Sequence, residues 1–126
     1  MTLELSLIIG FLFHLIGDYI TQNDWMAQNK TKSFLPAFIH ASIYSLPFLY
    51  ICFSRWWLLI WISHFLIDRY RLAVYWIKLV NWNWKSINFG YDSDKPLWMS
   101  VWLMIIVDNI FHLLINSLSI YLNCKL

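Results

Sequence analysis

The chain has 126 residues, of which 60% are hydrophobic, 20% aromatic and only 13% charged, whereas soluble domains are usually about 45 to 50% apolar. A net charge of +2 with no run of Lys or Arg excludes a nucleic-acid patch. Cys52 and Cys124 lie far apart and outside any CxxC spacing, which excludes a thiolate metal set and a disulfide framework.

These limits predict an all-α integral membrane protein, a single transmembrane domain over residues 1–126. Four apolar segments approach the roughly 20 residues needed to cross the hydrocarbon core. The first, about 3–22, follows an N-terminus with no basic region. No small-residue cleavage site comes after it, so it is expected to be retained as a membrane helix. A polar connection, Asn23 to Lys32, leads to the second segment, about 33–53, with Ser33 as a candidate N-cap, Pro36 in the first turn and Pro47 as a candidate kink. Only Ser54 and Arg55 separate it from the third, about 56–78, which forces an antiparallel hairpin. A longer connection, Asn81 to Lys95, rich in Trp, Asn and Asp, precedes the fourth, about 96–122, with Asp94 as candidate cap before Pro96.

Lys30, Lys32, Arg69, Arg71, Lys78, Lys85 and Lys95 belong to the first and third connections and their flanks, against Arg55 and Lys125 on the other face. The positive-inside rule then places both termini outside and those two connections in the cytoplasm. Arg69 and Arg71 come early for a span that starts at Trp56. Either the third helix tilts and its arginines face the bundle or snorkel, or it ends early and 72–84 runs as an interfacial helix.

The chemistry lies inside these apolar segments. His14 and Asp18, His64 and Asp68, and Asp108 and His112 are three His/Asp pairs, each one helical turn apart, and His40 stands in the remaining segment. Residues four apart share a helix face, so each pair can chelate one ion. Gln22, Tyr44 and Asn116 extend the same stripes. With the topology above, all seven ionisable residues can meet in the cytoplasmic half of the bundle. An Asp near the centre of an inserted helix costs roughly 2.5 to 3.5 kcal/mol. Three therefore cost about 8 to 10 kcal/mol, an amount that structural zinc binding, at roughly 10 to 16 kcal/mol, can offset.

Imidazole with carboxylate suits zinc, with iron or manganese as alternatives, and seven candidate ligands leave room for one or two ions. His14, Asp18, His40, His64, Asp68, Asp108 and His112 are the candidate metal ligands. An Asp outside the ligand set (Asp18, Asp68 or Asp108) would act as general base. Arg69 and Arg71 are candidates for gripping a phosphate or carboxylate, with ordinary positive-inside anchoring as the plainer reading, and Gln22 is placed as a ligand or a substrate contact. The same residues also fit a proton or ion conduit, or hydrogen-bonded links that only hold the helices together. Nothing resembles G-x-S-x-G, a P-loop or H-E-x-x-H, so covalent catalysis has no support.

The run His14-x-x-Gly17-Asp18-x-x-x-Gln22 continues into Asp24, Trp25, Met26, Ala27, Asn29 and Lys30, and is followed by His40, His64-x-x-x-Asp68 and Asp108-x-x-x-His112. On these residues the chain resembles an uncharacterised family of small bacterial and phage membrane proteins, a domain of unknown function (3307). The family pattern has Gln after the last Asp, where this chain has Asn109. The resemblance implies a four-helix membrane fold in a bacterial inner membrane and supplies no activity. The spacing is also similar to that of membrane-bound metal-dependent hydrolases, by analogy alone.

The reading is therefore a bundle holding one or two divalent metals that hydrolyses a phosphoester or similar anion at the membrane, with a membrane lipid or membrane-associated substrate as partner. The rivals are a proton, ion or small-solute transporter and a non-catalytic membrane interaction protein. The sequence leaves room for a homo-oligomer.

Overall fold

The computed structural model describes residues 1–126 and is all-helical, with one isolated bridge, Asn88 to Tyr91, as its only β pairing. Helix α1 (Leu3–Leu15) starts at Thr2, whose side chain accepts from the Leu5 amide. It runs directly into a π turn, Ile16–Ile20, in which the Thr21 amide reaches back to the Ile16 carbonyl at 2.9 Å. The wider turn falls on Gly17 and Asp18, both buried, and such π turns often mark functional positions.

The short α2 (Asp24–Asn29) is capped by Asn23, whose side chain accepts from the Met26 amide at 2.9 Å. Helix α3 (Phe34–Ser45) carries Pro36 in its first turn, where no helical amide bond is lost. Ser33 occupies the N-cap position but makes no side-chain cap bond. At Pro47 the α-helix tightens into a 3₁₀ segment, Leu46–Tyr50, because proline supplies no amide to continue the α pattern.

The third apolar segment is divided. Helix α4 (Arg55–Tyr70) stops at Arg71, which takes a left-handed conformation at φ 49°, and α5 (Leu72–Val80) follows. The loop after α5 is held by the Asn88 amide, which donates to the Asp92 and Lys95 carbonyls at 2.8 and 2.9 Å. Gly90, at φ 97°, lies where a Cβ would press on Ile77 and the Lys78 amide. Helix α6 (Leu97–Lys125) is unbroken over 29 residues, about 44 Å at 1.5 Å per residue. Its N-cap position falls on Pro96, and Asp94 does not cap it as the sequence suggested.

Helix α6 packs against α1, α4 and α5; α4 packs on α3, and α3 in turn meets the π turn and α2. The four longest helical units thus enclose a common interior. That interior is polar at one end, and the outer faces are apolar. His14, His40, His64, Asp68 and His112 are all buried, while Leu5, Ile8 and Leu12 of α1, Leu58, Ile62 and Leu66 of α4, and Ile106, Ile110 and Leu114 of α6 are exposed. Soluble proteins rarely bury charge while exposing so much contiguous aliphatic surface. Two helical stretches, Leu3–Ile20 and Leu97–Lys125, are long and apolar enough to cross a membrane, and Phe34–Tyr50 is a shorter apolar one.

Candidate metal centre

Asp68, one turn past His64 on α4, is the hub. Its Oδ2 lies 2.7 Å from Lys30 Nζ, 3.1 Å from His40 Nε2 and 3.2 Å from His64 Nε2, and its Oδ1 lies 3.0 Å from His112 Nε2. Asp18, turned inward by the π turn, places Oδ1 3.2 Å from His40 Nε2 and 3.5 Å from His64 Nε2. The two imidazole nitrogens are themselves 3.0 Å apart. Asp108 Oδ2 stands 3.3 Å from His112 on the α6 side.

Two groups of converging ligand atoms result. Asp18, His40, His64 and Asp68 form one, all buried, and Asp18, Asp108 and His112 form the other. Either can hold a metal ion. Within the first, Asp18 Oδ1 is buried and makes no hydrogen bond despite its close nitrogen neighbours. A buried carboxylate oxygen without a donor is costly in any apolar surround. The His64 Nδ1 atom is likewise buried without a partner.

Both ring nitrogens of His14 are engaged, and it joins neither group. Its Nε2 lies 3.1 Å from Asn109 Oδ1, an acceptor, so Nε2 carries the proton. In the neutral ring Nδ1 then accepts, and the Tyr44 hydroxyl donates to it at 2.9 Å. His14 Nδ1 is also 3.5 Å from Asp18 Oδ2, beside the centre. Tyr44 in turn accepts from the Asn116 amide at 2.6 Å, and its ring stacks on His64 with centroids 3.6 Å apart. Gly17 makes room for that ring, since a Cβ there would strike it.

A cavity of about 270 Å³ opens onto the centre, lined by Asp18, Tyr19, Gln22, Lys30, Asp68, Arg71, Asp108 and Asn109 among others. Arg71, in its left-handed conformation, lines this cavity and also a neighbouring groove, where its guanidinium lies 5.6 Å from the centre of the Phe89 ring. Arg69, paired with it in the sequence reading, is directed elsewhere: its guanidinium donates to the Thr31 carbonyl at 2.8 Å and ties α4 to the connection before α3. Gln22 lines the cavity; its amide donates to the Asp18 carbonyl at 3.3 Å, and its Oε1 is buried without a partner.

Sequence reasoning counted Lys30 only as a topological charge. The structure brings its ammonium against Asp68, where burial would depress its pKa but the Asp68 and Asp18 carboxylates outweigh that and hold it above the ordinary lysine value. The one signal was its place in the first motif. Asn109 and Tyr19, whose side chains hydrogen-bond to each other at the cavity edge, gave no pattern of their own.

A family model described as "Protein of unknown function (DUF3307)" matches residues 6–125. Comparison with curated proteins and with solved structures finds no match for the chain.

Proposed function

The chain belongs to that family of unknown function, and from its geometry we propose that it is an integral membrane metal-dependent hydrolase acting on a membrane-associated phosphoester. In this reading the four long helical units form one transmembrane bundle, the termini lie outside, and the cavity opens on the cytoplasmic side with Lys30 and Arg71. The apolar outer faces and the bias of basic residues toward that end support this placement.

One observation carries the metal. Ligand atoms about 2.0 to 2.1 Å from a tetrahedral zinc stand about 3.3 to 3.4 Å from one another. In the group of His40, His64, Asp18 and Asp68, five of the six edges measure 3.0, 3.2, 3.5, 3.1 and 3.2 Å. Nitrogen and oxygen donors without sulfur fit zinc, iron or manganese, and the two-nitrogen, two-oxygen tetrahedron favours zinc.

Access supports chemistry over a structural ion. His40 and His64 back the site, while Asp18 and Asp68 line the cavity, so water and substrate reach the ion from the carboxylate side. An ion held there would supply Lewis-acid chemistry once one carboxylate yields its place to water, lowering that water's pKa and polarising the ester oxygen. Lys30 and Arg71 hold the anionic head. Asp108, 22% exposed at the cavity edge, takes the proton from the attacking water. The hydroxide so formed would add to phosphorus as the P–O ester bond breaks, with Asp108 returning the proton to the departing alcohol.

A conduit would need the polar path to continue, but beyond Tyr44 the interior is closed by Phe48, Ile51, Cys52, Ile60 and Ile120. Purified protein incubated with lipid extract, with and without chelator, tests the proposal. Release of phosphate or a phosphorylated headgroup that chelator abolishes is the expected result. An unchanged extract in both arms, from protein with metal bound, overturns the hydrolase.

A further inference from the structure

We propose that the centre is dinuclear: a second divalent ion sits between Asp108 and His112, sharing Asp18 and Asp68 with the first. This inference rests on the metal reading above and extends it to the substrate's charge.

Asp68 divides its oxygens between two sides. Oδ2 faces His40 and His64 at 3.1 and 3.2 Å, and Oδ1 faces His112 at 3.0 Å. That is the arrangement of a bridging carboxylate, one oxygen to each ion of a pair about 3.5 to 4 Å apart. Asp18 belongs to both groups of converging ligand atoms, so it is the second shared ligand. On the far side, His112 Nε2 lies 3.0 Å from Asp68 Oδ1 and 3.3 Å from Asp108 Oδ2, again the edge lengths of a coordination polyhedron. The one ion-pair contact of the Asp108 carboxylate within 4 Å is His112, and it lines the cavity. The cavity thus reaches both positions, the first through Asp18 and Asp68 and the second through Asp108. In the dinuclear state Asp108 is a ligand, and the attacking water is activated by the ions themselves.

Charge then selects the substrate. With neutral imidazoles, three carboxylates and Lys30 leave the centre two negative charges in excess. One divalent ion brings it to neutrality, and only a second makes it doubly positive, with Arg71 adding one more charge at the cavity wall. A doubly charged centre matches a phosphate monoester dianion better than a singly charged diester.

Metal-stripped, full-length protein in detergent micelles, titrated with Mn²⁺ and followed by equilibrium dialysis and electron paramagnetic resonance, tests this. The expected result is two Mn²⁺ per chain with an exchange-coupled spectrum at saturation, and one uncoupled ion in Asp108→Ala. Saturation at one ion, two ions without coupling, or a coupled pair persisting in Asp108→Ala overturns the second position and leaves the first standing. No bound Mn²⁺, Zn²⁺ or Fe²⁺ overturns both. The wild-type spectrum decides the matter even if the variant does not fold.

Discussion

The two ends of the molecule's interior are built on opposite principles. At the cavity end, Asp18, His40, His64, Asp68 and His112 crowd together with ligand atoms 3 to 3.5 Å apart. At the other, Phe48, Cys52, Ile60 and Ile120 are fully or almost fully buried as an apolar plug. Tyr44 is the seam, with its ring packed on Phe48 and His64 and its hydroxyl bonded to His14 and Asn116. The plug is held by close contact, with Cys52 Sγ lying 3.6 Å from the Ser119 carbonyl as a polar contact within it. The polar end brings three carboxylates together with Lys30 and buried imidazoles, an arrangement that could hold a cation.

The comparison breaks most sharply at Asp68. Asp68→Ala removes the hub and strands Lys30, side chain 17% exposed, without a counter-charge. Removing one member of a buried pair costs about 3 to 5 kcal/mol, and the partial exposure of Lys30 places this one toward the low end. Equilibrium unfolding in detergent should show that loss together with loss of bound metal. Adding Lys30→Met should recover much of the stability and none of the metal; metal retained in either variant would show that Asp68 is not a ligand. Because the Lys30 pKa is raised, its pair with Asp68 stabilises fully below the ordinary value of 10.5 and is lost only as pH rises through the higher folded value. The stability gap between Lys30→Met and wild type should therefore stay flat through neutral pH.

Phe48→Ala tests the other end. Truncating a buried Phe costs about 3 to 5 kcal/mol in a close-fitted core, so its unfolding transition should fall about as far as that of Asp68→Ala. Its metal stoichiometry should stay at the wild-type value. If metal is lost as well, the two ends are one cooperative unit rather than a plug and a site.

Metal removal sharpens the contrast without a mutation. An ion that binds only the folded state at one hundred times its dissociation constant stabilises by about 2.7 kcal/mol. Chelator should therefore lower the midpoint of the wild type and of Phe48→Ala by similar amounts and leave Asp68→Ala unmoved. An equal chelator effect on Asp68→Ala would place the ion elsewhere.

Much of this centre was legible in the sequence because charge inside an apolar segment has few places to go. The one-turn spacing of His64 with Asp68 and of Asp108 with His112 put imidazole and carboxylate on shared faces, and the structure retains both contacts. What spacing could not give was partnership across helices. His40 had no mate in its own segment, yet it meets Asp18, His64 and Asp68. His14 had the same spacing as the other pairs but spends its nitrogens on Tyr44 and Asn109, contacts 30 and 95 residues away. Lys30 was hidden because a lysine outside a span reads equally well as an anchor. The difference between Arg69 and Arg71 depends on a left-handed turn at Arg71, a conformation no arginine signals in advance.

Tyr44→Phe makes the smallest and most local test, because it keeps the ring against Phe48 and His64 and removes only the hydroxyl at the seam. The Asn116 amide and His14 Nδ1 each lose a buried partner, so the cost is on the order of 1 to 3 kcal/mol. His14 then has only Asp18 Oδ2, at 3.5 Å, near its free nitrogen, and the ring is at liberty to turn toward that carboxylate. If the hydrogen-bonded Tyr44–His14 pair only walls the site beside Asp18, the variant should keep its metal stoichiometry but bind the ion more weakly, and His14→Phe should weaken it in the same direction. If His14 is itself a ligand, freeing its Nδ1 from the tyrosine should tighten binding in Tyr44→Phe while His14→Phe loses the ion. The sign of the affinity change in Tyr44→Phe thus separates a histidine that positions the site from one that belongs to it.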